Sequence, residues 1–153
     1  GVIDQPTRIV VSRRLELPLM GKLARSAADI PLILCHGRDA DPALVHTWRD
    51  LGATLLQCNV RGGQLDPSDV LTQLGTHGLT RIFCEGGGAL AASLLETDLV
   101  DSLVGFSAGV VIGAEGTPGI GALGLSHLSD APRFTLQSTQ AIGPDVLHIW
   151  ARR

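Results

Sequence analysis

Residues 81–93, RIFCEGGGALAAS, set three glycines between an apolar run and a stretch of strong helix formers. Backbone N–H groups in such a turn can come close to a phosphate, with the dipole of the following helix behind them. The spacing is not GxGxxG and no lysine follows, so the segment matches neither the dinucleotide fingerprint nor a triphosphate loop. Tight packing of a strand against a helix would use the same glycines. Glu85 ends the apolar run, at the carboxyl edge where open α/β sheets bind their ligands. Its carboxylate there could accept hydrogen bonds from sugar hydroxyls. Taken without its neighbours, the same glutamate reads as a solvated or salt-bridged surface group.

The remaining reactive residues are less organised. Ser12, Arg13 and Arg14 follow a β-branched run, and the arginines are either anion ligands or solvated positions after a strand. His36, His46, His77, His127 and His148 are too dispersed for a metal site. No metal ligand set and no catalytic side chain is identified. Cys35, Cys58 and Cys84 each close an apolar run. Their odd number and wide spacing suit neither a disulfide framework nor a zinc site, and they are expected as buried, inert thiols in a reducing cytosol.

The elements that must carry these residues follow from the pattern. Residues 8–12 (RIVVS) and 31–36 (PLILCH) have the composition of buried strands. Asp41-Pro42 has the form of an N-cap and a first-turn proline, with Leu44, Trp48 and Leu51 on one helical face and Gly52 as the stop. A strand over residues 53–58 follows. Asp66-Pro67 opens a second such helix, with Val70, Leu71 and Leu74 as its apolar stripe and Gly78 as its stop. Residues 81–85 form the next predicted strand, residues 89–97 a helix with Leu90, Ala91, Leu94 and Leu95 inward, and residues 102–107 a further strand. This alternation predicts parallel strands joined by right-handed crossovers. Beyond Gly113 a glycine-rich loop leads to strands over residues 133–139 and 146–151, antiparallel because the turn Gly143-Pro144-Asp145 is so short. No repeat, charge block or linker marks a boundary, so residues 1–153 are expected to form a single domain.

Composition narrows the function classes. A net charge of -3 with scattered lysines and arginines provides no basic stripe for nucleic acid. Hydrophobic residues make up 44% of the chain and aromatics 3%, so the core must be aliphatic, which favours layered strands and helices. The least polar stretch, residues 103–125, is broken by Glu115 and several glycines and is no membrane helix. No stretch at the beginning has the order of a signal peptide. A cytoplasmic protein acting on a small molecule is the expectation.

Three stretches in combination resemble the reductase domains of riboflavin biosynthesis. They are PTRIVVSRRLELP (residues 6–18), EGGGALAASLLETDLVDSLVGFSAGVVIG (residues 85–113) and LGLSHLSDAPRFTLQSTQAIGPDVLHI (residues 123–149). The resemblance implies an α/β fold like that of dihydrofolate reductase, three layers around a mixed sheet that is mostly parallel and ends in an antiparallel hairpin. It implies reduction of the ribose of 5-amino-6-(5-phosphoribosylamino)uracil to a ribityl chain, with NADPH. Carried over by position, Glu85 would contact substrate, and Gly87, Gly88, Ala89, Leu90, Ala91, Ala92 and Ser93 would line the NADPH pyrophosphate. Ser12, where the family often has aspartate, and Arg13 would lie near the 2'-phosphate. The cofactor carries the hard step of hydride transfer, so no protein nucleophile is needed.

The family's first strands are not matched ahead of Arg8. The resemblance therefore implies a domain lacking a central strand and one wall of its substrate pocket, impaired when alone and covered by a second copy in a homodimer. Many bacterial members carry a deaminase domain upstream. Three other readings stay open: a non-catalytic module that binds NADPH, a dimerisation module of the same fold, and a reductase of another pyrimidine or pteridine-like substrate.

Overall fold

A computed structural model describes residues 5–153 and divides the chain into two units, Gly1–Arg81 and Ile82–Arg153. The first holds β1 (Arg8–Val11), the single turn α1 (Lys22–Arg25), β2 (Leu32–His36), α2 (Pro42–Asp50) and β3 (Thr54–Gln57). A small hairpin of β4 (Val60–Arg61) and β5 (Gln64–Leu65) leads into α3 (Pro67–Thr76). β2 pairs in parallel with β1 on one side and β3 on the other, and every one of its residues is buried. Its alternate side chains serve two cores. Leu32 and Leu34 pack with Leu15, Ala24, Ala27 and Trp48 of α2. Ile33 and Cys35 pack with Cys58, Leu65, and Val70 and Leu74 of α3. A strand covered on both faces must be apolar along its length, which is why PLILCH shows no alternation.

Both helix starts expected from Asp-Pro are present. The Asp41 carboxylate accepts from the Ala43 amide at 2.8 Å, and Asp66 accepts from Ser68 at 2.9 Å. A proline whose missing N–H costs nothing stands in each first turn. Trp48, Val70 and Leu74 are buried as the helical spacing required.

The second unit holds α4 (Gly88–Glu96), β6 (Ser102–Ser107), β7 (Phe134–Ile142) and β8 (Asp145–Arg152). The expected hairpin forms and extends further than its sequence pattern, with Ile142 paired to Asp145 across the turn at Gly143 and Pro144. Gln137 bulges out between Leu136 and Ser138. β8 is central, flanked by β7 and β6, both antiparallel to it. The chain is thus mixed α/β, with a parallel sheet first and an antiparallel sheet at its C-terminal end.

Several expectations are corrected. Parallel pairing is confined, among the described residues, to β1–β3. β6 was expected to be parallel from the alternation of elements, but direction is set by the available partner, and the edge offered is that of β8. Residues 81–85 form no strand. An apolar run becomes a strand only beside free N–H and C=O groups of a neighbour, and none of the described residues pairs with it. Ile82, Phe83 and Cys84 are consequently exposed, so Cys84 is not the buried thiol expected. In α4, Leu95 is buried as expected, but its buried companion is Ala92, while Leu90, Ala91 and Leu94 are only half-buried. This helix is apolar on nearly every side, so its sequence does not single out a face.

No described helix is long and apolar enough to cross a membrane. Among the described residues no group of three or more His, Cys, Asp or Glu could hold a metal ion.

The cysteines offer a direct check on this packing. Burial, reinforced by the neighbouring Cys58, pushes the Cys35 thiol up to about 12, and burial followed by Asp69 raises Cys58. A thiolate-directed reagent at mildly alkaline pH is expected to modify Cys84 alone in the native protein and all 3 cysteines after unfolding. Native labelling of Cys35 at the rate of Cys84 would contradict the packing of β2.

Candidate functional site

At the start of α4 the sequence leaves backbone donors without acceptors. Gly87 is the N-cap, in an extended conformation (φ -64°, ψ 166°), and it brings no side chain to cap the helix. Its carbonyl accepts from Leu90 at 3.0 Å and Ala91 at 3.2 Å. The amides of Gly87, Gly88 and Ala89 make no hydrogen bond among the described residues. No acidic side chain lies in the first turn to compete for them. Gly88 is fixed by a close approach: its carbonyl accepts from Gly121 at 2.9 Å, and a Cβ there would stand 3.0 Å from the Pro118 carbonyl oxygen. At Gly87, by contrast, a Cβ would meet nothing within 4 Å, so that side of the turn is open. Free amides, the positive end of a nine-residue helix and an open approach together suit an oxyanion such as a phosphate.

The other positions on this segment are placed unequally. Ala89 is exposed, Leu90, Ala91 and Ser93 are half-buried, and Ala92 is buried. The Ala92 and Ser93 amides fall within the helix, where their acceptors are the carbonyls one turn back. Glu85 precedes the turn on unpaired backbone, exposed and without a hydrogen-bond partner among the described residues. Its carboxylate is free to accept hydrogen bonds from a ligand.

Within the first unit, the carboxyl ends of β1 and β2 assemble a second cluster. Ser12 extends the ladder, its amide donating to the Cys35 carbonyl at 3.0 Å. Leu15, three residues on, is drawn fully into the core at a left-handed φ of 59°, and this turns Arg13 and Arg14 outward. Arg13 is not a freely solvated side chain. Its Nε and Nη2 grip Asp39 as a fork, at 3.2 Å and 2.8 Å, and its Nη1 donates to the Gly63 carbonyl at 2.6 Å. Arg14 stands 3.8 Å from the same carboxylate. Through these hydrogen bonds the Arg13 guanidinium holds the Asp39 carboxyl below the usual carboxylate range. Gly37 makes the approach possible, because a Cβ there would lie 2.6 Å from Asp39 Oδ1 and 3.2 Å from Arg13 Cγ. Asp39 and the β4–β5 hairpin were missed in the sequence, where nothing ties them to Arg13.

Beside this cluster a cavity of about 390 Å3 opens along α2, lined by His36, Arg38, His46, Arg49 and Gln57 among others. His36 donates from Nδ1 to the Gly37 carbonyl at 2.9 Å, since a carbonyl only accepts.

One arrangement in the second unit has the outline of a nucleophilic pair but not its chemistry. Ser107 Oγ lies 3.1 Å from His148 Nε2, and Trp150 Nε1 donates to His148 Nδ1 at 2.8 Å. The indole can only donate, so the proton of a neutral His148 sits on Nε2 and points at the serine. Such a histidine cannot take the proton of Ser107, and the pair is no general-base site.

Comparison with known proteins places the whole chain. The family model described as the RibD C-terminal domain matches residues 3–148, which run through both units. The chain is 32% identical over 145 residues to the riboflavin biosynthesis protein RibD of Actinobacillus pleuropneumoniae, covering 94% of this chain and 38% of that protein. Among solved structures, Acinetobacter baumannii RibD (form 2) superposes with a TM-score of 0.78 at 20% identity, over 99% of this chain and 39% of that one. A Thermotoga maritima protein named as a diaminohydroxyphosphoribosylaminopyrimidine deaminase/5-amino-6-(5-phosphoribosylamino)uracil reductase has a TM-score of 0.64 at 18% identity, over 97% of this chain and 38% of that one. The chain thus spans about two fifths of the length of these proteins. With a family model running across nearly all of its residues, it belongs to the RibD C-terminal reductase domain family of riboflavin biosynthesis.

Proposed function

We propose that this chain binds NADPH and reduces the ribose of 5-amino-6-(5-phosphoribosylamino)uracil to the ribityl product, in a three-layer fold like that of dihydrofolate reductase. The observation that carries the reading is the open, uncapped start of α4 directly after a free glutamate. The Gly87, Gly88 and Ala89 amides would hold the pyrophosphate, and Leu90, Ala91, Ala92 and Ser93 would shape the helix behind it. Ser12 and Arg13 would meet the adenosine 2'-phosphate, and Glu85 would accept hydrogen bonds from the sugar of the substrate. Bound NADPH supplies the hydride. The protein's own task is to fix the reacting carbon and to exclude water, so no protein nucleophile enters the proposal.

Among the described residues no strand pairs with the backbone at Glu85, so slow turnover is expected of this chain even where nucleotide binding is intact. A deaminase domain upstream in the parent protein, a homodimer and a cytoplasmic setting belong to the same proposal. An assembly module without catalysis is the second reading. Exposed Phe106, Val111 and Leu136 favour it, and association of the chain without any nucleotide binding would support it.

Two outcomes test the main reading. Direct titration should give a lower dissociation constant for NADPH than for NADH by on the order of tenfold, the value of one charge-assisted contact to phosphate. Equal constants would show that Arg13 makes no productive contact with the 2'-phosphate in this chain. In a protein with measurable turnover, Glu85→Gln should lower the rate at saturating substrate by roughly tenfold or more while NADPH affinity stays unchanged. A variant that weakens NADPH binding but keeps its rate at saturating cofactor and substrate would place Glu85 on the wrong ligand.

A further inference from the structure

Arg13 enters the proposed function as the group that meets the 2'-phosphate, yet the structure shows its gripping edge already occupied. The Nε and Nη2 pair is the edge with which a guanidinium forks a carboxylate or a phosphate, and Asp39 fills it at 3.2 Å and 2.8 Å. Nη1 is drawn to the Gly63 carbonyl at 2.6 Å. A phosphate arriving here competes with a carboxylate for the same donors and is repelled by it. An adenosine with a free 2'-hydroxyl has the opposite experience, because the hydroxyl can donate to that carboxylate.

We infer that Asp39 is a specificity-determining residue that holds down the chain's preference for 2'-phosphorylated adenosine over adenosine with a free 2'-hydroxyl. This rests on the proposed nucleotide reading and adds to it a residue that the family resemblance did not assign. Gly37 belongs to the device, since any side chain there would push Asp39 away from Arg13. Removing the carboxylate charge frees the Arg13 fork and leaves Arg14, now 3.8 Å from Asp39, without its anion as well.

The test uses the full chain as wild type, Asp39→Asn and Asp39→Ser, titrated calorimetrically with adenosine 2',5'-bisphosphate and adenosine 5'-monophosphate. The ratio of their dissociation constants should move about tenfold toward the bisphosphate in both variants, by tighter bisphosphate and weaker monophosphate binding. Asp39→Asn in an Arg13→Lys background should show a clearly smaller gain, because lysine has no fork to free and only the repulsion by Asp39 and its hold on Arg14 are relieved. Thermal melts establish that each variant is folded, and Asp39→Ser serves if the asparagine variant is not. If the bisphosphate binds and the ratio is unchanged or falls, Asp39 is only a clasp between the ends of β1 and β2. The inference then fails while the nucleotide reading stands. If wild type binds neither adenosine compound and does not bind NADPH, the nucleotide reading fails and takes the inference with it.

Discussion

Every helix begins with N–H groups that have no acceptor within the helix, and the way a chain satisfies them fixes what the helix start can do. In α2 and α3 the aspartates Asp41 and Asp66 close the first turn, and those ends are chemically silent. In α4 the corresponding position is Gly87, which has no side chain to offer, and the amides are left for an anion from outside. The Pro118–Gly121 stretch presses on Gly88 from one side and leaves Gly87 open on the other. On that difference in capping, together with the open approach at Gly87 and the nine-residue length of α4, the proposed anion contact of the second unit rests.

In the first unit the governing constraint is the burial of β2 on both faces. With Leu32 and Leu34 committed to one core and Ile33 and Cys35 to the other, β2 cannot slip by one residue without exchanging every contact. Its carboxyl end therefore delivers Gly37 and Asp39 at a fixed height beside the end of β1. There, burial of Leu15 forces the turn that presents Arg13. The ion pair at the sheet edge is a product of core packing. It carries consequences for recognition because an arginine engaged with a carboxylate is a weaker phosphate ligand than a free one.

Much of this was legible in the sequence, and the exceptions have physical causes. Local signals held: Asp-Pro at two helix starts, the unbroken apolar run of β2, the short turn that forces β7 and β8 antiparallel, and the glycines ahead of α4. What failed was pairing at long range. Asp39 lies 26 residues from Arg13 and Gly63 lies 50 away, and no local pattern links them. Residues 81–85 have the composition of a strand, but composition does not supply a partner, and Cys84 is exposed as a result. The direction of β6 depended on which strand edge was offered to it. For α4 an even distribution of apolar residues let Leu95 be placed but hid Ala92, which is buried beside it.

Nitrogen-labelled protein titrated with NADPH tests, residue by residue, the proposal that the α4 amides are the anion contact. The Gly87, Gly88 and Ala89 amide resonances should shift saturably with one dissociation constant, while amides at the Gly143 turn stay in place. Saturable NADPH binding that leaves the Gly87, Gly88 and Ala89 amides unmoved would contradict it.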